Sequence, residues 1–138
     1  MKNLELIQFA FNHLNSKEMH AISESFSPNF SFSTPRFKSL NFEQYCEYID
    51  FVSSILEANV KQVSFSDRGV FTIKVSFNIV DNSSKYQKNL EAIGKVIIQD
   101  NLIQSLNITY KANQLDLKII MKIAASIVNH FKNLGLNN

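Results

Sequence analysis

Tryptophan is absent, and cysteine occurs once, at Cys46. A single thiol excludes an internal disulfide and suits a reducing compartment, so the cytoplasm is the expected location. Only two prolines and three glycines are present, so turns are few and each of these residues is informative. Neither sign of charge dominates: 14 Lys and Arg against 12 Asp and Glu give a formal charge of +2. With no Lys/Arg stripe, this balance argues against a nucleic-acid partner. No apolar run approaches the roughly 18 residues of a membrane span, which argues against integral membrane association. The chain lacks CxxC, HxxxH and any Asp/His set with ligand spacing, so neither a metal nor another cofactor is expected. It also lacks a glycine-rich phosphate loop.

What is present is a domain-sized apolar set. Of 138 residues, 45% are hydrophobic and 12 are Phe. Phe has no polar handle, so it suits a dry core or an apolar pocket. The opening MKNLELIQFAFNHLN carries Leu4, Ile7, Phe11 and Leu14 at helical spacing. Glu5 and Gln8 interrupt what would be the apolar core of a signal peptide, so the segment is read as helix. A short second helix, SKEMHAISESF, is expected to run to Phe26 and to stop before Pro28. Phe30 and Phe32 then alternate with Ser31 and Ser33, which is strand periodicity, and Thr34-Pro35-Arg36 reads as a turn. Asn41 and Gln44 form a capping-box pattern opening a third helix to about Ala58.

From Val60 the period becomes two. Asp67-Arg68-Gly69 reads as a hairpin turn in which Gly69 supplies a positive φ. Phe71, Ile73, Val75, Phe77 and Ile79 share one face of a long strand. Leu90, Ala92, Gly94, Val96 and Ile98 share one face of the next. Asp100-Asn101 turns the chain into a last strand holding Leu102, Leu106, Ile108 and Tyr110 on mixed faces. Helices first and a meander of strands after them imply an α+β fold with an antiparallel sheet. The tail QLDLKIIMKIAASIVNHF reads as a further helix. Its stripe is Leu115, Ile119, Ile123, Ile127 and Phe131, broadened by Ile120, Ala124 and Val128. Packing on the chain's own sheet and a homodimer contact are the two ways to cover it.

The segment LNSKEMHAISESFSPNFSFSTP, followed later by LIQSLNITY, resembles the nuclear transport factor 2-like superfamily. That superfamily includes SnoaL-like polyketide cyclases, ketosteroid isomerases, scytalone dehydratase and limonene epoxide hydrolase. The resemblance implies a cystatin-like cone, in which a curved antiparallel sheet wraps around the amino-terminal helices. It covers a SnoaL-like domain at 1–111 and leaves 112–138 as a carboxy-terminal helical extension, packed on the same domain or on a partner subunit. Ketosteroid isomerases place a base just before the proline that ends the first strand, where this chain has Thr34. Their helix-1 Tyr corresponds to Ala10, and their later acid to Gly94 or Ile93. Proton abstraction needs a base in reach and donors at the oxyanion, so that mechanism is not expected here.

The resemblance implies a cavity in the cone. Its candidate lining residues are Phe9, Phe30, Phe32, Thr34, Tyr45, Tyr48, Phe77, Val96 and Tyr110. The first expectation is a SnoaL-like protein binding a small apolar molecule. The alternatives are an isomerase, cyclase or dehydratase-type enzyme using His20 and tyrosines, and a non-catalytic dimerisation module. His20 is the weak catalytic candidate. Against it stands the ordinary surface or helix-end histidine. His130 is expected to meet a helix C-terminal dipole. Cys46 is read as a small packing residue, and Glu43, Glu47 and Asp50 as a solvated helix face.

Overall fold

The computed structural model describes residues 23–55, 58–81 and 85–136. The first two expected helices, with Phe9, Ala10, His13 and His20, lie outside the described residues. After one 3-10 turn at Ser23–Ser25 come β1 (Phe26–Ser33), α1 (Phe42–Ile55), β2 (Ala58–Asp67), β3 (Val70–Asp81), β4 (Tyr86–Gln99), β5 (Leu102–Tyr110) and α2 (Gln114–Asn133). The strands form one sheet in the order β1-β5-β4-β3-β2. This is an α+β cone of a five-stranded curved sheet with helices against it.

One pairing departs from the antiparallel expectation. β2, β3, β4 and β5 form an antiparallel meander, but β1 joins β5 in parallel. β1 and β5 are separated by α1 and three strands, so no hairpin constrains their direction. Pro28 also sits inside β1 rather than between a helix and a strand. The β1–β5 register shifts between Phe26 and Ser31, and the Ser27 hydroxyl accepts a hydrogen bond from the Asn29 amide there. An edge strand with a bulge is where a proline can enter a sheet without losing a ladder hydrogen bond. Phe26, assigned to a helix by its sequence spacing, is therefore a buried strand residue.

β4 shows the simplest link from sequence to packing. From Leu90 to Gln99 it alternates strictly between buried and exposed residues, so Leu90, Ala92, Val96 and Ile98 enter the core while Glu91, Ile93, Lys95 and Ile97 face outward. β5 does not alternate, because Ile97 and Ile98 are consecutive while their partners Ser105 and Ile103 are two apart. The extra residue re-aims the strand. Ile103 and Leu106, three residues apart, are both buried as a result. Asp100 and Asn101 adopt φ of 55° and 61° at the β4–β5 turn, the positive-φ pair that a two-residue hairpin uses.

α1 opens with the expected capping box: the Gln44 amide donates to Asn41 Oδ1 at 2.8 Å, and the Asn41 amide donates to Gln44 Oε1 at 2.9 Å. A rank of rings then joins β1 to both helices. Phe30 and Phe32 meet Tyr45, Phe32 and Phe37 meet Tyr48, and Phe37 meets Phe131 of α2, with ring centroids 4.7 to 6.2 Å apart. Phe30, Phe32, Phe37 and Phe131 thus supply contacts that contribute beyond their area, about 0.5–1.5 kcal/mol a pair.

α2 packs against β3 and α1 of the same chain. Its stripe is placed slightly off the expected row. Ile119, Ile120, Ile127 and Phe131 are buried and Ile123 and Ala124 half-buried, but Leu115 and Val128 are exposed. A strict four-residue row creeps about 40° around a helix at each step, so Leu115 at its start leaves the contact while Phe131 at its end keeps it.

Candidate functional site

Between the inner sheet face and the two helices lies an open-mouthed cavity of about 170 Å³. β3 contributes Ile73, Val75, Phe77 and Ile79, and α2 contributes Ile120, Ile123, Ala124 and Ile127. α2 is held on both sides of the cavity by two separate core clusters, one with Ile119 and Ile120 and the other with Ile127 and Phe131.

Of the residues expected to line the cone, Phe32, Thr34, Tyr45, Tyr48, Phe77 and Tyr110 surround this cavity. Phe30 and Val96 do not; they are 3% and 0% exposed and fill the core behind it. Phe30 is taken up by edge-on contacts with Phe26 and Phe42. Val96 lies between Phe71 and Leu106 across the sheet. Phe9 and His20 lie outside the described residues. Arg36 and Phe37 also line the cavity. Their sequence signal was confined to a turn, and turn residues carry no periodicity to say which way they point.

Thr34, which the resemblance sets at the position of a ketosteroid isomerase base, lines the cavity. Its hydroxyl oxygen accepts hydrogen bonds from the amides of Arg36 and Phe37, both at 3.1 Å. It therefore builds the turn that carries Arg36 and Phe37 to the cavity. Of Gly94 and Ile93, which the resemblance sets at the position of the later acid, Ile93 faces outward and Gly94 faces inward with Ile73 and Ile108 against it. A side chain there would collide with the cavity wall: an added Cβ would stand 2.6 Å from Ile73 Cγ1.

The polar atoms of the site are few. Burial first, then the proximity of Cys46 and Tyr48, raises the Tyr45 phenol above its ordinary value. Burial first, then the neighbouring Tyr110, does the same to Tyr48. Burial also raises Tyr110, with nearby Arg36 opposing it. All three remain phenols, able to donate, through neutral and mildly alkaline pH. Tyr110 thus sits within electrostatic reach of both Tyr48 and Arg36 in a mainly apolar chamber. Among the described residues, no Asp, Glu, His or Cys lines the cavity. No group of three or more His, Cys, Asp or Glu among them could hold a metal ion, and no described helix is long and apolar enough to cross a membrane.

No family model matches the chain, and no curated protein matches its sequence. Solved structures do match its shape. A candidate SnoaL-like polyketide cyclase from Jannaschia sp. CCS1 superposes with a TM-score of 0.67 at 13% identity, over 90% of this chain and 92% of that one. TerC, co-crystallised with polyporic acid, gives 0.65 at 8% identity, over 91% and 99%. An M. tuberculosis LEH-like epoxide hydrolase gives 0.61 at 7%, over 92% of each chain. The chain has the nuclear transport factor 2-like fold. These neighbours differ in chemistry, so the shared cone does not assign a reaction.

Two polar groups of α2 have partners outside the cavity. Asp116, which the sequence reading did not single out, is fully buried. It accepts from the Tyr86 hydroxyl at 2.7 Å and from Lys88 Nζ at 2.9 Å. It also closes a capping box with Asn113 at the start of α2. It lies three residues before Ile119 and four before Ile120, inside the buried arc of the helix, and an acid at such a position is a readable signal for a buried polar contact. His130 stacks on Phe51 at 4.9 Å and reaches Glu47 Oε2 at 3.4 Å. The last turn of α2 is thereby clipped to α1, and Glu47 is drawn out of the otherwise solvated acidic face.

Proposed function

We propose that this protein binds a small, mainly apolar molecule in the cone. The observation that carries the reading is an open-mouthed, mainly apolar cavity of about 170 Å³ bordered by the packed core. Protein interiors are normally packed without voids of this size. An apolar cavity of roughly 150 Å³ is enough to hold benzene, so the chamber has room for one ring and, through its mouth, for a substituent. Residues 1–111 form the SnoaL-like unit in this reading, and 112–138 are its own extension, closing the chamber with α2. A buried, free Cys46 fits a cytoplasmic setting. Neighbours on this fold that act on or were crystallised with small organic molecules support the same direction.

The test is a titration with toluene, followed by ligand-observed NMR, on the protein and on Ala124→Phe. Ala124 is half-buried at the cavity wall, so a ring there fills the space. Saturable binding by the protein, abolished in a variant whose unfolding midpoint is unchanged or higher, is the expected result. A variant destabilised as an overpacked core would be, with no toluene binding to the parent, would show that the chamber is not a binding site.

An acid–base enzyme is the competing reading. The absence of any carboxylate, imidazole or thiol among the described lining residues weighs against it, since proton transfer needs a group in hydrogen-bond reach.

A further inference from the structure

We propose that the molecule held in the cone is an organic anion, a single ring or ring-sized body bearing a carboxylate or enolate, with its charge placed against Arg36. The inference rests on the binding reading above and adds the chemical class of the ligand.

Charge complementarity is the first argument. Arg36 and Lys88 have different surroundings. Lys88 is paired with a buried carboxylate, whereas no carboxylate pairs with Arg36 among the described residues. Arg36 nonetheless lines the cavity. Among the described residues, the chamber therefore has a cation and no compensating anion. A planar guanidinium presents several donors in a fork that matches a carboxylate.

Placement is the second. Arg36 is exposed while the wall behind it is hydrocarbon. A charged ligand group at this end stays near solvent while the ring enters the dry interior. That avoids the desolvation penalty a buried ion pair would carry. Tyr48 and Tyr110 line the same chamber and lie close to one another and, for Tyr110, to Arg36. Their protonated phenols are donors that an anionic oxygen accepts from. Thr34 has its oxygen engaged in the turn, so it holds Arg36 in place.

Benzoate and benzamide test this directly, because they share shape and differ in charge. Calorimetric titration at pH 7 and low salt is expected to show benzoate binding about tenfold or more tightly than benzamide, the range of a charge-assisted hydrogen bond. In Arg36→Gln the two are expected to bind equally, with the unfolding midpoint unchanged because the side chain is exposed. Benzamide binding as tightly as benzoate in the parent protein would overturn the proposal. So would a benzoate preference that survives Arg36→Gln. If toluene binds but benzoate does not, the anion fails and the cavity reading stands; if none of the three binds, both fail together.

Discussion

The Asp116 carboxylate accepts a 2.7 Å hydrogen bond from the hydroxyl of Tyr86, thirty residues earlier in the chain. Tyr86 is the first residue of β4 and Asp116 lies in the first turn of α2, so this contact anchors the helix over the far end of the sheet. Lys88 adds a second donor to the other oxygen, and the Asn113 amide a third contact. Anchored here and at Phe131, α2 spans the cavity between its two fixed ends.

These bonds favour the charged form, and chiefly through the Tyr86 hydrogen bond they hold the Asp116 carboxyl below the usual carboxylate range. A group whose pKa is lowered by folding stabilises the fold fully above its unfolded value, about 3.9, and loses that contribution as pH falls through the lower folded value. Asp116→Asn is therefore expected to unfold at a lower temperature than the parent at pH 7. The gap between the two should narrow steadily below pH 4. Thermal unfolding followed by circular dichroism from pH 7 to pH 2 measures this, and a gap that is constant with pH contradicts it.

Gly69 is required twice. Its φ is 67°, and a Cβ there would stand 2.4 Å from the Ile98 carbonyl oxygen. The same turn is tied by the Ile98 amide donating to Gly69 O at 2.7 Å. Gly135 has a similar φ of 73° but nothing within 4 Å. It ends α2 in a Schellman arrangement, with Leu136 donating to Phe131 O and Gly135 to Lys132 O. Gly135→Ala should cost about 1 kcal/mol, the strain alone. Gly69→Ala should cost about 3 kcal/mol, because backbone collision is added to strain. Urea denaturation of both variants checks the difference, and equal losses would show that the close approach at Gly69 is relieved without penalty.

Much of this was legible in the residue order. Period-two runs marked β3 and β4 and their inner faces, the Asn41–Gln44 pair marked the start of α1, and Gly69 and Asp100-Asn101 marked the two turns. Tyr45 and Phe77 were visible on the apolar faces of regular elements, whereas Tyr48 and Tyr110 entered as candidates through the cavity that the resemblance implies. Three features were hidden for physical reasons. The parallel docking of β1 depends on long-range pairing that local spacing does not encode. The β5 bulge broke the alternation that would have shown Ile103 facing inward. Arg36 and Phe37 are aimed by hydrogen bonds that their amides donate to the Thr34 hydroxyl oxygen, a tertiary consequence of a turn whose letters say only that the chain bends. The void itself was also illegible, since the same apolar residues would line a cavity or fill a core.

Cys46 is fully buried in the core. Burial, then the adjacent charges of Glu47, Glu43 and Asp50, push its thiol up to about 12. The thiolate is the reactive form, so at pH 8 its population falls by about a thousandfold relative to a free cysteine. Native protein should resist iodoacetamide at pH 8, while protein unfolded in urea should be labelled at one site. Mass spectrometry of the two reactions decides it, and rapid labelling of the native chain would show that α1 opens or that the thiol is activated.

Ile127 and Val128 are neighbours on α2 with opposite surroundings. Ile127 is 1% exposed and lies in the core cluster beside the cavity, while Val128 is 42% exposed. If α2 covers its own sheet, removing the Ile127 side chain enlarges an existing void and costs about 2–4 kcal/mol. Removing the Val128 side chain then changes stability by no more than about 0.5 kcal/mol. A helix whose stripe served mainly to join two copies would give the other pattern, a loss that depends on protein concentration. Urea unfolding of Ile127→Ala and Val128→Ala at two protein concentrations tenfold apart separates the cases. A concentration-independent loss confined to Ile127→Ala is the expected result, because the contacts that hold α2 run to β3 and α1 of the same chain.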